Sequence, residues 1–394
     1  MSIILFDGMG HQTLKPLTST KPVSELRVGI LTIKEKWSKI FEKDCGIRTK
    51  DYLESLFVPN NEEEELGINA GLLPNEDLLE VIKGLKKNEI LMKNGVVLAL
   101  KPMPSANADM EKILKGSTTV EYDMDVDVIQ YPWDVFSFNG QEIENDFALL
   151  RANRTSEELH ESNVLIGDED LLFIEEGAEI LCATINTTEG PVYIGKNAKI
   201  LEGSNIKGPF ALCDNAVVKM GAKMYQDTTI GPHCKVGGEI SNSVLQAYSN
   251  KGHDGYLGNS VIGEWCNLGA DTNTSNLKNN YGMVKAYSFI DEDSIDTGLQ
   301  FCGTIMGDHS KTSINTMLNT GTVVGAFSNV FDGGFPPKFV SPFSWGGKEK
   351  VVQFKLEKAL EVAERMMSRR KIDLSKEHQE VYKHLFEESN KYYS

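Results

Sequence analysis

Aliphatic residues recur every six positions through the middle of this chain. Ile194, Ile200, Ile206, Leu212, Val218, Met224, Ile230 and Val236 follow one another without a miss. If aliphatic side chains fill roughly a third of positions, such a run arises by chance about once in several thousand. A second column stands four residues after each of the first seven: Ala198, Ser204, Phe210, Ala216, Ala222, Thr228 and Cys234. It is mostly small. One aliphatic and one small inward position per hexad is the signature of a parallel β-helix, whose coils each bury a layer of the same residue types.

The flanks have a different texture. Over the first 150 residues strand-like and helix-like segments alternate, which predicts an α/β unit. Ile3 to Phe6 reads as a short buried strand running into a glycine turn at Gly8 and Gly10. Asn75 followed by Glu76 and Asp77 opens a helix that continues to about Lys87, with acids where the N-terminal dipole favours them. Val96 to Leu100 reads as another strand. After Trp345-Gly346-Gly347 the pattern turns helical: Val352, Leu356, Leu360, Ala363 and Met367 are spaced by three and four, and Ser375 caps a second helix carrying Val381 and Leu385. Two such amphipathic helices must bury their stripes on the β-helix or on a neighbouring subunit. The expected organisation is an α/β domain over 1–150, a β-helix over 160–345 and a helical extension over 346–394.

Length and composition agree: 394 residues are enough for two or three domains, and 40% hydrophobic with 25% charged residues is ordinary for a globular chain. Charge changes the picture more. Lys plus Arg 40 against Asp plus Glu 57 gives −17, a field that repels nucleic acid and anionic membrane surfaces while leaving room for a local basic pocket. The run Glu62-Glu63-Glu64-Glu65 reads as a solvated face. No 18 apolar residues run together, and Met1 to Phe6 lacks the basic region of a signal peptide. Cys45, Cys182, Cys213, Cys234, Cys266 and Cys302 are widely spaced, with no C-x-x-C. Reduced, packed thiols in a cytoplasmic protein are expected.

Candidate chemistry is concentrated past Val236. Glu239-Ile240-Ser241 is followed by Gly252-His253-Asp254-Gly255-Tyr256-Leu257-Gly258, then Asn267-Leu268-Gly269-Ala270, then Asn276. In order and spacing these resemble the acetyltransferase domain of the bifunctional N-acetylglucosamine-1-phosphate uridyltransferase/glucosamine-1-phosphate N-acetyltransferases. The hexads likewise resemble the left-handed β-helix acyltransferases, in which three hexads make a triangular coil of 18 residues. That likeness covers roughly Val164 to Phe343, with interruptions near Ser243–His253 and Thr272–Tyr287.

The resemblance implies that His253 is the general base, taking a proton as a sugar amine attacks the thioester of acetyl-CoA, and that Glu239 orients the imidazole. Imidazole suits that task because it ordinarily titrates near neutrality. Tyr256 and Asn267 match residues that hold the amino sugar, Asn276 one that approaches the amine, and Ala270 one whose backbone meets acetyl-CoA. The family's phosphate clamp falls on Lys223 and Ser241, which are 18 apart and therefore expected to stack on adjacent coils. A hydroxyl there in place of a cation weakens the clamp, since charge-assisted bonds are about twice as strong as neutral ones, and opens the site to a different acceptor. Lys285 is the nearest match to a further lysine. The family also implies a homotrimer with the acyl site between subunits.

The amino-terminal stretch, Leu5-Phe6-Asp7-Gly8-Met9-Gly10 and then Lys15 to Arg27, resembles the opening of sugar-1-phosphate nucleotidyltransferases. There a glycine-rich loop, here Gly8 and Gly10, cradles nucleotide phosphates, and Lys21 and Arg27 are the surviving cations. His11-Gln12-Thr13 replaces the loop's arginine. Asn69-Ala70-Gly71 stands where the family has an aspartate for Mg2+, and a missing metal ligand should cost much of the rate. Three functions therefore compete: an acetyl-CoA-dependent acyltransferase on a sugar phosphate or sugar nucleotide; a sugar-1-phosphate nucleotidyltransferase assembled by its β-helix; and a non-catalytic sugar-nucleotide sensor.

Overall fold

The computed structural model describes residues 2–57, 66–104 and 110–393; the Glu62–Glu65 run lies outside them. Its contacts divide the chain into two units. The first comprises Met1–Leu14, Lys21–Leu26 and Leu31–Tyr131, the second Lys15–Thr20, Arg27–Ile30 and Pro132–Ser394.

In the first unit six strands form one sheet: β1 (Ile3–Phe6), β2 (Gly46–Arg48), β3 (Leu66–Asn69), β4 (Glu89–Lys93), β5 (Val96–Lys101) and β6 (Thr118–Glu121), in the order β2-β1-β3-β5-β4-β6. β1 pairs in parallel with β2 and β3, as an α/β unit requires. β5 instead runs antiparallel to β3 and β4. Asn94 and Gly95 force that reversal: both have positive φ (50° and 81°), so Lys93 and Val96 pair across a two-residue hairpin. The helix Ile33–Ile40 that follows β1 starts on a reciprocal Thr32–Glu35 capping box. Asn75 caps Glu76–Gly84 by accepting from the Leu78 N–H at 2.8 Å, and that helix stops short of Lys87.

The second unit is a parallel β-solenoid of three faces. Ile194, Leu212 and Ile230 are register neighbours on one face, and Ile200, Val218 and Val236 on another. All eight residues of the aliphatic column and all seven of the smaller column are buried. The helix Asn139–Arg151 belongs to this unit, because its Asn139 amide donates to the Asp227 carbonyl (2.8 Å) and accepts from Thr229 Oγ1 (3.1 Å). By contacts the first unit ends at Tyr131, ahead of the expected 150.

One corner of the solenoid carries His233, Tyr248, Trp265, His309, Phe327 and Phe343, all with φ between 56° and 61°. Their rings stack, with successive centroids 5.0, 4.2, 6.1, 4.6 and 4.8 Å apart. Left-handed backbone is costly for side chains of this kind, and the stacking offsets part of that cost. The C-terminal helices Leu356–Ser368 and Lys376–Ser389 fold back on this corner, as their stripes require. Tyr382 meets His309 and Phe327 edge-on, Phe386 meets Phe343, and Arg370 donates to the His233 carbonyl. Val352 lies in a short strand before the first helix rather than in it. Five cysteines are buried as expected, but Cys182 is exposed at a turn; all six are free. Among the described residues no helix is long and apolar enough to cross a membrane.

Candidate functional site

His253 and Ala270 lie on a second solenoid corner, shaped by a shortened coil, with Lys223, Glu239, Ser241 and Tyr256 on the adjoining face. Residues 243–253, expected to interrupt the repeat, form a regular part of a coil with strands at Val244–Leu245 and Asn250–Lys251. The irregularity is earlier, at Gly237-Gly238, where the turn loses two residues. Lys223 therefore pairs with Glu239, while Ser241 pairs with Gly258. The expected stacking of Lys223 on Ser241 is absent: the two are out of register by two residues, about 7 Å along a strand. Gly238 (φ 73°) permits the short turn, and a Cβ there would lie 2.7 Å from the Gly255 carbonyl oxygen and 2.9 Å from that of His253. Only glycine lets the Gly252–Gly255 loop rest directly on the coil beneath.

That loop presents His253. Its side chain is exposed, with no hydrogen-bond or ion-pair partner among the described residues. Immediately after it the chain enters a face on which Lys223, Glu239 and Tyr256 are consecutive register neighbours. Lys223 Nζ and Glu239 Oε2 are 3.9 Å apart, and both side chains are more than a third exposed, so this pair contributes under about 1 kcal/mol. Glu239 faces Lys223 and makes no hydrogen bond to His253, so it does not orient the imidazole here. The Tyr256 hydroxyl accepts from Asn276 Nδ2 at 3.1 Å, and the same nitrogen donates to Asn259 Oδ1 at 2.8 Å. Burial holds the Tyr256 phenol above its ordinary pKa, against the Asn276 bond. The phenol therefore stays a neutral donor near pH 7.

The remaining predicted residues are spread around the corner. Asn267 is exposed on the neighbouring face, between Asn250 and Lys311. Ala270 occupies the same corner one coil on, its carbonyl accepting from Asn315 N–H at 2.8 Å. Lys285 is exposed at the start of a hairpin, opposite Asp296, inside the second expected interruption. In coil order the corner runs Met220, Gly237-Gly238, Gly252–Gly255, Ala270, Ile314; Met220 and Ile314 are each 68% exposed.

The first unit has its own cavity, of about 540 Å3, at the carboxyl ends of β1, β2 and β3. Parallel strands commonly bind ligands there. Gly8 (φ 52°) and Gly10 line it, as the glycine-loop resemblance implies. Lys21 does not: it is 4% exposed and lies elsewhere. Arg27 belongs to the solenoid unit, where its guanidinium donates to the Ile30 carbonyl and its backbone exchanges bonds with the Gln246 amide (2.7 and 3.0 Å). Those bonds commit it to structure. The cations that line the cavity are Arg48 and Lys50, at the end of β2; the Arg48 guanidinium also donates to the Pro104 carbonyl.

Asp7 is the cavity's carboxylate. Its oxygens accept from Val23 N–H (2.9 Å) and Thr49 Oγ1 (2.5 Å), and burial nevertheless raises its pKa to about 6. Asn69 spends its side chain on the Val97 carbonyl and the Gly71 N–H. Among the described residues no three His, Cys, Asp or Glu side chains are grouped to hold a metal. The residues present do not fit a magnesium ion.

Residues 3–155 match the sugar nucleotidyl transferase family. The chain is 28% identical over 276 residues to the bifunctional protein GlmU of Methanococcus aeolicus, covering 68% of this chain and 56% of that one. Over 147 residues it is 30% identical to the bifunctional sugar-1-phosphate nucleotidylyltransferase/acetyltransferase of Sulfurisphaera tokodaii, covering 37% and 36%. The expected resemblance is therefore borne out at low identity. The chain spans less than two thirds of the length of these relatives. Among solved structures, the polysialic acid O-acetyltransferase OatWY aligns at 18% identity with a TM-score of 0.24, over 49% of this chain and 85% of that one.

Proposed function

We propose that the solenoid unit is an acetyl-CoA-dependent N-acyltransferase acting on an amino-sugar phosphate or a nucleotide-linked amino sugar, with His253 as general base. The observation that carries this reading is an exposed imidazole, without a protein partner, at a corner beside the hydroxyl–amide pair of Tyr256 and Asn276. In the proposed reaction the acceptor nitrogen attacks the thioester carbon, a C–N bond forms, and His253 Nε2 or Nδ1 takes the nitrogen's proton. Collapse of the tetrahedral adduct breaks the C–S bond, and the proton passes to the leaving thiolate. The Tyr256 hydroxyl supplies a donor to the sugar, and Asn276, whose two N–H bonds are spent on Tyr256 and Asn259, offers its Oδ1 as an acceptor. Lys223 would meet the sugar phosphate, and with a hydroxyl at Ser241 in place of a second cation the acceptor's anionic group is held more weakly than in a two-cation clamp.

Asn267 and Ala270 lie around the corner from Tyr256, so a site using all of them spans two faces. A homotrimer of parallel solenoids, each corner walled by the next copy, would exclude water from such a site. Light scattering on the active protein tests this, and activity in a monomer would argue against it. For the first unit we propose binding of a sugar nucleotide beside Arg48 and Lys50 without metal-dependent turnover, because Asn69, its amide spent on Val97 and Gly71, stands where the resemblance expects a carboxylate for magnesium, and Asp7 is already bonded to Val23 and Thr49.

The deciding experiment is thiol release from acetyl-CoA over a panel of amino-sugar phosphates. His253→Ala should slow release by about 10²–10⁴-fold. Absence of release with every sugar, from folded trimer, would move the assignment to the first unit, tested by pyrophosphate release with magnesium.

A further inference from the structure

The inward positions of the solenoid are uncharged, mostly aliphatic or small, and Lys251 departs from that pattern. It is the register neighbour of Val236, which in turn neighbours Val218, so its side chain starts where the column has valine. Lys251 is 2% exposed. Its methylenes fill the aliphatic position, while Nζ turns to the corner and donates to the carbonyl oxygens of His253 (2.6 Å) and Asp254 (3.0 Å). These are its only hydrogen-bond partners among the described residues. The same loop is tied from outside: Asp254 O also accepts from Asp271 N–H at 3.1 Å, and Gly255 O from Glu239 N–H at 3.2 Å.

We propose that Lys251 is a positioning residue for His253, its buried ammonium gripping the loop's carbonyls from inside the solenoid so that the imidazole projects from the corner in one orientation. This rests on reading His253 as the base. Packing alone does not explain a lysine here, since Leu or Met would fill the column without burying a charge. Burial lowers the Lys251 pKa to about 8, against the attraction of Asp254 and Asp271, so the side chain is still mostly ammonium at neutral pH. It touches neither reacting group, and its influence passes through two backbone carbonyls.

The test compares Lys251→Met, which keeps the apolar stem, with Lys251→Gln, which restores one donor. Rates and amide exchange at Glu239 and Asp271, whose N–H groups bond the loop, are read in each. Lys251→Met should fold with little change in thermal midpoint, exchange those two amides about tenfold faster, and lose about a hundredfold in kcat with KM for acetyl-CoA nearly unchanged. Lys251→Gln should recover part of both losses, and it carries the test if the methionine variant does not fold. Parent-like exchange and kcat in Lys251→Met would overturn the proposal. If the parent itself transfers no acetyl group, the reading of His253 fails. The loop clamp is then judged by exchange alone: faster exchange sustains it, and unchanged exchange sinks it.

Discussion

Asp7 gives the most quantitative prediction. It is 3% exposed on the wall of the first unit's cavity, and desolvation outweighs its bonds to Thr49 and Val23 and the attraction of Lys50, raising its pKa from 3.8 to about 6. A folded-state pKa above the unfolded value means the native state binds the proton more tightly. The cost of burying the carboxylate is therefore present in full above pH 6 and is relieved as pH falls through 6 toward 3.8. At about 1.4 kcal/mol per pK unit, the shift of roughly two units costs about 3 kcal/mol at pH 7.5. At pH 5 the folded group is mostly protonated while the unfolded one is still mostly ionised, and about half of that cost remains.

Asp7→Asn keeps the shape, accepts from Val23 N–H and can donate to Thr49, but has nothing to titrate. Between pH 7.5 and pH 5 the parent should gain about 1.5 kcal/mol on the variant. Amide exchange of the segment Ile3–Phe6 across a urea series, for both proteins at both pH values, reads the first unit specifically, and the double difference cancels every other titrating group. A double difference below about 0.5 kcal/mol, or one of opposite sign, would refute the argument. The same substitution bears on ligand binding. Above pH 6 the carboxylate offsets part of the charge of Lys50, so a sugar nucleotide should bind Asp7→Asn more tightly at pH 7.5, with the advantage fading at pH 5.

Two further predictions separate the solenoid's corners. Gly238→Ala places a Cβ against the His253 and Gly255 carbonyls, whereas Gly221→Ala, at a similar positive φ (69°), meets nothing within 4 Å. Both should lose about 1–2 kcal/mol from backbone strain, but only Gly238→Ala should displace the His253 loop and lower the rate of thiol release; equal activities would show that the loop does not depend on the short turn. Trp265→Ala opens the ring column between Tyr248 and His309 at the other corner. It should cost about 3 kcal/mol or more in urea unfolding while leaving kcat per folded trimer near the parent's, and a large loss of kcat would link the two corners.

What could be read ahead of the structure follows from how local each constraint is. A solenoid repeats one environment every coil, so the need for an aliphatic residue at Ile194 is restated at Leu212 and Ile230, and periodicity alone exposes it. Hairpins are similarly local: Asn94-Gly95 announces the turn between β4 and β5, although the expectation of a simple α/β alternation passed over it. Arg48 and Lys50 were invisible for the opposite reason. They become cavity residues only because β2 lies beside β1 in the sheet, and nothing near positions 48 to 50 states which strand ends converge. Arg27 failed in the reverse direction, since a free-looking cation in the sequence is spent on Ile30 and held by Gln246, over two hundred residues away.

The candidate acyl site lies between these cases. The Gly-His-Asp-Gly-Tyr stretch is contiguous, so its residues travel together whatever the fold does, and Tyr256 finds Asn276 at hydrogen-bond distance. Inferences that counted residues across the coil failed, because they assumed an 18-residue period that Gly237-Gly238 breaks. Lys223 therefore faces Glu239, and Ser241 stands out of register with Lys223. Two departures from the repeat, the residues missing at 237–238 on the coil beneath and the lysine at 251 two positions before His253, converge on the carbonyls of its loop. A solenoid whose only task was stability would have kept its period and its valine there; both are given up where the chain has a histidine to present.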